Sequence, residues 1–152
     1  MQLPADFKEF IELMISTHVR FVMIGGFAYN LYRNPKATGD IDFFVAHDDV
    51  NETCLRQALQ QFGFGSMLTS DRLLDDEKVI MLGRSPFRID ILTSISGVTF
   101  EEVEATCNTY SIDGMDVPVI SAEMLLRNKE ATGRAKDLAD AEELRAWLDI
   151  NP

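Results

Sequence analysis

Positive charge, cysteine and histidine are scarce in this chain, and long apolar runs are missing from it. Apolar runs stop at four or five residues, whereas a helix that spans a bilayer needs about 18 or more. The N-terminal Met-Gln-Leu-Pro-Ala-Asp-Phe-Lys offers neither a basic flank nor an apolar stretch, so no secretion signal is expected. The chain therefore reads as soluble and cytoplasmic. Cys54 and Cys107 have no motif around them, which argues against a disulfide scaffold or a zinc module and for two thiols in a reducing compartment. His18 and His47 stand isolated, without the spacing of a triad or a ligand set, and are expected at the surface or in caps. No phosphate loop ending in Gly-Lys-Ser/Thr, no dinucleotide fingerprint and no nucleophile elbow occurs. Only 14 Lys and Arg face 25 Asp and Glu, a net charge of −11. That excess disfavours long nucleic acid and anionic membranes as partners.

What remains is an ordinary globular composition, 46% hydrophobic and 26% charged, so disorder is not expected. Surface scaling gives about 7,700 Å² of accessible area when folded, against about 25,000 Å² for the open chain. Burying about two-thirds of the surface suffices for one core, and the length predicts a single domain over 1–152.

Leu3, Phe7, Phe10, Ile11 and Met14 recur at helical spacing and predict a helix over about 4–16. A buried strand is expected at Arg20 to Ile24, broken by Gly25-Gly26, with a short helix after the glycines that Asn34-Pro35 ends. Asp40 to Ala46 reads as a second strand, and Asp48 or Asp49 as the cap of a helix with Leu55, Ala58, Leu59 and Phe62 on its apolar face. Lys78 to Leu82 and Phe87 to Leu92 flank the turn Gly83-Arg84-Ser85-Pro86. Asn108 to Ile112 and Met115 to Ile120 flank Asp113-Gly114, the strongest short hairpin signal in the chain. Between the hairpins a helix is expected over about 99–106. Ser121 opens another to about 131, and a last helix follows Gly133 to about 148, with Leu138, Ala141, Leu144 and Leu148 on one side. These C-terminal helices, about 121–148, are expected to pack on the same domain, and Trp147 to anchor a core or an interface. The alternation predicts an α/β (α+β) fold, a mixed β-sheet flanked by helices.

Three features carry chemistry. Gly25-Gly26, between a strand and a helix, allows a ligand close to the backbone and offers helix N–H groups to an anion; a plain tight turn would also use two glycines. Asp40 and Asp42 stand two apart at the head of a strand, so both carboxylates share a face. They can be a solvated face, or a site whose repulsion a divalent cation relieves; oxygen-only ligands suit Mg²⁺ or Mn²⁺. Asp90 lies mid-strand among apolar neighbours, where a charge must be paired or coordinated, and Arg88 on the same face is one candidate partner. Basic residues are absent from 89 through 126, then Arg127, Lys129, Arg134 and Lys136 fall within ten residues. These bases face either a phosphate or the nearby acids; Asp137 and Asp140 are expected to pair with Arg134 and Lys136.

Taken together, the run from Phe21 to Val45 resembles the signature of the polymerase-β-type nucleotidyltransferase superfamily: an apolar strand, a Gly-Gly turn, a helix and then Asp-x-Asp. Thirteen residues separate Gly26 from Asp40, a spacing that superfamily uses. Arg88-Ile-Asp-Ile-Leu92 and Gly133-Arg-Ala-Lys-Asp-Leu-Ala-Asp140 extend the likeness to the small bacterial AbiEii-like group, over about 20–145. The resemblance implies a nucleotidyltransferase fold and a Mg²⁺- or Mn²⁺-dependent enzyme that moves a nucleoside monophosphate from a triphosphate, ATP first among them, to a hydroxyl. It implies Asp40, Asp42 and Asp90 as catalytic residues and metal ligands, with Gly25, Gly26 and Thr38 holding the nucleotide; the cluster of bases adds Lys129, Arg134 and Lys136 as phosphate-facing nucleotide contacts, Lys129 and Lys136 first. The acceptor would be a protein side chain, an RNA end such as that of tRNA, or a small molecule. Some members of the group act as toxin or antitoxin, or in phage defence, which implies a cognate protein partner. The alternatives are a non-catalytic, antitoxin-like binding module on the same fold, or a nucleotide sensor that does not turn over.

Overall fold

The computed structural model describes residues 2–33, 38–69, 71–75 and 79–152. The first helix, α1 (Ala5–Ser16), buries Phe7, Phe10, Ile11 and Met14, the stripe its sequence spacing requires. Strand β1 (Phe21–Ile24) follows and is buried along its whole length. Gly25 and Gly26 do not separate this strand from the next helix; they form the first turn of α2 (Gly25–Tyr32). The expected stop at Asn34-Pro35 lies outside the described residues. Strand β2 (Ile41–Val45) begins one residue later than expected, leaving Asp40 in the loop before it. Asp48 is the cap of α3 (Asp49–Leu59), its Oδ1 accepting the Asn51 N–H at 2.8 Å. Gly63, at φ 97°, turns the chain out of the wider helical turn that continues α3.

Strands β3 (Val79–Leu82) and β4 (Ile89–Leu92) form the hairpin expected around Gly83–Pro86; Lys78 lies outside the described residues. Helix α4 (Phe100–Thr106) starts on a capping box in which Thr99 and Glu102 exchange hydrogen bonds. Strands β5 (Asn108–Ile112) and β6 (Met115–Val119) meet at Asp113-Gly114, both at positive φ as a tight primed turn demands. Helices α5 (Ala122–Thr132) and α6 (Ala135–Ile150) close the chain, with Ser121 capping α5 and Gly133 in the left-handed region between them.

The six strands form one mixed sheet in the order β3-β4-β2-β1-β6-β5. Pairs β1–β6 and β2–β4 are parallel and the other pairs antiparallel. Phe43 faces Phe21 and Phe10, which places α1 against one side of the sheet. Phe44, pointing the other way, meets Phe100 of α4 edge-on at 5.3 Å. Trp147 packs on Tyr32 at 5.4 Å, as a core anchor. Cys54 and Cys107 are both free and half-buried.

The last helix departs from its expected face. Ala141 and Leu144 are buried, but Leu138 is 43% exposed, while Asp137 and Asp140 turn inward. Lys129 on α5 is buried where α6 crosses it, and a buried ammonium holds carboxylates more strongly than it tolerates a leucine. Among the described residues, no helix is long and apolar enough to cross a membrane.

Candidate active site

One row of residues crosses the sheet in register: Ile24 on β1 pairs with Asp42 on β2, Asp42 with Asp90 on β4, and Asp90 with Met81 on β3. Paired residues share a face of the sheet, so this register puts the Asp42 and Asp90 carboxylates side by side. They line a cavity of about 750 Å³ on the side of the sheet where β1 ends and β2 and β4 begin. Asp40, Gly25, Gly26, Thr38, Lys129, Arg134 and Lys136 line the same cavity, so tertiary structure brings all nine predicted site residues together.

The glycines are there for space. Gly25 sits at φ +70°, and a Cβ on it would fall 2.2 Å from Asp42 Oδ2. A Cβ on Gly26 would fall 2.8 Å from the Thr38 hydroxyl. The first turn of α2, with its unpaired N–H groups, is thus pressed against the carboxylates and Thr38. Gly39 makes a similar approach on the other side, where a Cβ would overlap the backbone of Pro86. This contact brings the β3–β4 turn onto Asp40. Ser85 Oγ donates to Asp40 Oδ2 at 2.8 Å and the Arg88 N–H to Asp40 Oδ1 at 3.0 Å.

Arg88 also spans the carboxylates with its side chain. Its Nε and Nη2 donate to the two oxygens of Asp90 at 2.6 and 3.0 Å, and Nη2 lies 3.6 Å from Asp40 Oδ2. Partial burial pulls Asp40 upward, but the Arg88 amide, the Ser85 hydroxyl and the Arg88 guanidinium outweigh it and hold the carboxyl below its usual range. Asp42 goes the other way. Burial raises it first, then the charge of Asp90 and a hydrogen bond shared with that residue, then Asp40.

The far wall carries the predicted bases, and only some of their expected pairs form there. Lys129 Nζ donates to Asp137 Oδ1 at 3.3 Å and to Asp140 Oδ2 at 3.0 Å, and lies over the Tyr29 ring at 5.6 Å. Arg134 Nε reaches Asp137 Oδ2 at 2.7 Å, as expected of that pair. No carboxylate among the described residues lies within ion-pair distance of Lys136, which is exposed at the rim. Burial alone would raise Asp137, but Thr132, Arg134 and Lys129 outweigh it and hold it below its usual range.

Several lining residues carry no sequence motif: Tyr29, Asn30, Ser94, Ile95, Ser96, Asn128 and Thr132. The segment from Ser94 to Ser96 follows β4 directly and reaches the cavity from there. Gly97 fixes it there, because its bare Cα lets the loop touch α5; a Cβ would lie 2.6 Å from that of Ala131. Asn128 Nδ2 donates to the Ser96 carbonyl at 2.9 Å.

Among the described residues, no three Asp, Glu, His or Cys side chains converge as a ready-made metal cage. The donor set nevertheless suits a hard divalent cation: Asp42 and Asp90 are adjacent and repel, their donor atoms are all oxygen, and the bare Gly25 leaves room for the Asp42 carboxylate.

The chain matches, over residues 5–149, the family described as nucleotidyl transferase of unknown function (DUF2204). No curated protein matches its sequence significantly. Among solved structures, a candidate nucleotidyltransferase of Thermotoga maritima is 19% identical with a TM-score of 0.54, covering 95% of this chain and 91% of that one. The antibiotic-resistance factor ANT(2'')-Ia gives 14% identity and a TM-score of 0.61, with 94% and 82% of the two chains covered. The lincosamide antibiotic adenylyltransferase LnuA, lincomycin-bound, gives 13% identity and a TM-score of 0.56, with 96% and 98% covered. At these identities the structures show the fold. The family match covers almost the whole chain, and the chain belongs to the nucleotidyl transferase family.

Proposed function

We propose that this chain is a Mg²⁺- or Mn²⁺-dependent nucleotidyltransferase that moves a nucleoside monophosphate, from ATP first among triphosphates, to a hydroxyl. The observation that carries the reading is the in-register pair Asp42–Asp90 lying against the glycine turn of α2 in one cavity. The acceptor oxygen bonds to the α-phosphorus, the bond to the β-phosphate bridging oxygen breaks, and pyrophosphate leaves. Asp90 would take the acceptor proton, while Asp40 and Asp42 would hold the cation with it. When bound, the cation offsets the charge that builds on the attacking and leaving oxygens. Backbone N–H groups at Gly25 and Gly26 would face the triphosphate with Thr38, and Arg134 and Lys136 would balance its charge from the opposite wall. Lys129 would act through the field and shape of that wall, since its hydrogen bonds go to Asp137 and Asp140.

A small hydroxylated molecule is the acceptor that the observations favour. The cavity is open at about 750 Å³, the net charge of −11 opposes a long RNA, and of two structures of the same fold one is named an antibiotic-resistance factor and the other a lincosamide antibiotic adenylyltransferase. A toxin–antitoxin role and membership of the AbiEii-like group rest on the motif resemblance alone. The test is to incubate the protein with each α-labelled triphosphate, MgCl₂ and a panel of hydroxylated small molecules, and to follow label transfer and pyrophosphate. Expected are Mg²⁺-dependent pyrophosphate release and a loss of about a thousandfold or more in Asp42→Asn, as several kcal/mol of lost stabilisation implies. Equal turnover by wild type and Asp42→Asn overturns the assignment.

A further inference from the structure

The cation that spans the carboxylates of this site is a side chain of the protein. Arg88 places two donors on Asp90, a third contact on Asp40, and its own backbone N–H on Asp40 as well. We propose that the Arg88 guanidinium is a built-in counter-cation that a divalent metal must exchange for, so that Arg88 sets the threshold at which the site takes up metal. This inference rests on the metal-site reading above and adds to it a role for a residue that the motif leaves as a simple ion pair.

The argument is one of shared oxygens. A planar guanidinium that donates to both oxygens of Asp90 uses the lone pairs a metal would need, and its charge repels an incoming cation. Asp42, the third carboxylate, is nearer to Asp90 than to any base, so Arg88 divides the set by holding two members and leaving the buried one. The side chain has room to move: it is 32% exposed, lies at the cavity mouth, and leaves Asp40 still held by Ser85 and by the Arg88 amide when the guanidinium departs. Exchange therefore does not require the loop or the strand to shift. A released guanidinium stays at the wall of the same cavity, within reach of an anionic substrate.

The experiment measures Mn²⁺ alone, without nucleotide, by the loss of the free-ion electron paramagnetic resonance signal in the presence of the full chain. Three proteins are compared: wild type, Arg88→Met and Arg88→Lys, each checked for its fold by circular dichroism. The expected result is that Arg88→Met binds Mn²⁺ about tenfold more tightly, as removing one unit charge at this range should give. Arg88→Lys is expected to bind more tightly than wild type too, because an ammonium keeps the charge but cannot fork across Asp90. If Arg88→Lys matches wild type while Arg88→Met tightens, charge alone acts and the exchange is overturned. If all three bind Mn²⁺ equally, Arg88 has no part in metal uptake, and the metal-site reading stands without it. If none binds Mn²⁺ at millimolar concentration, the metal-site reading itself fails, and this inference with it. Should Arg88→Met fail to fold, the comparison of Arg88→Lys with wild type decides alone.

Discussion

Lys129 Nζ lies 3.0 Å from Asp140 Oδ2 and 3.3 Å from Asp137 Oδ1, so the best buried base of the cavity is already matched by two acids of the neighbouring helix. This triad joins α5 to α6 and fixes the cavity wall that faces Asp42 and Asp90. Its first consequence concerns stability. Removing the ammonium leaves two buried carboxylates facing each other without the charge that joins them.

Lys129→Met is therefore expected to lose about 3 kcal/mol, the usual cost of breaking a buried pair from one side. Urea unfolding of the full chain measures it. A loss below about 0.5 kcal/mol would show that the triad is not a structural clamp.

Asp137 gives the same cluster a pH signature. Its pKa is held below the ordinary value, so its contribution is present above pH of about 4 and disappears as pH falls through the depressed value. Asp137→Asn should lower the thermal midpoint at pH 7, and the gap to wild type should close as pH falls from about 4 through the depressed value. A gap that stays constant through that range would contradict the assignment.

Gly25 and Gly114 provide a controlled pair. Both have positive φ, +70° and +79°, but a Cβ on Gly25 collides with Asp42 whereas one on Gly114 meets nothing within 4 Å. Each alanine substitution should cost about 1 kcal/mol for the backbone alone. Gly25→Ala should also abolish nucleotidyl transfer, while Gly114→Ala leaves it unchanged. Full activity in Gly25→Ala would show that the close approach of α2 to Asp42 is not needed.

Lys136 tests where the triphosphate lies. It is exposed at the rim, so Lys136→Ala should change stability by less than about 0.5 kcal/mol. It should weaken ATP binding about fivefold, the scale of one charge-assisted contact at a wet rim, read by calorimetry with MgCl₂ present. Unaltered affinity would move the phosphates away from the start of α6.

Much of this molecule was legible in its sequence because the signals are local. Asp48 caps α3, Asp113-Gly114 makes its hairpin and Ser121 opens α5, since each depends on backbone groups a few residues away. Nine residues that line one cavity were likewise singled out from motifs and charge clusters along the chain. The partners of those residues were not. Asp137 and Asp140 were expected to answer Arg134 and Lys136; the structure gives Arg134 to Asp137 but both acids to Lys129, and turns Leu138 outward. Which bases meet which acids depends on how α6 crosses α5, a long-range packing outcome that no local spacing encodes. The same holds for Ser94 to Ser96, which reach the cavity only because Gly97 lets their loop lie against α5.

The shortage of positive charge was set by the sequence alone: 14 bases against 25 acids leave any anionic substrate few cations to meet. Tertiary structure alone decided how those few are used. It gives Lys129 to two buried acids and spreads Arg88 over Asp90 and Asp40, leaving Lys136 at the rim. The physical reason is that composition fixes only the total charge, whereas Coulomb and desolvation energies depend on distance and burial, which exist only once the chain has folded.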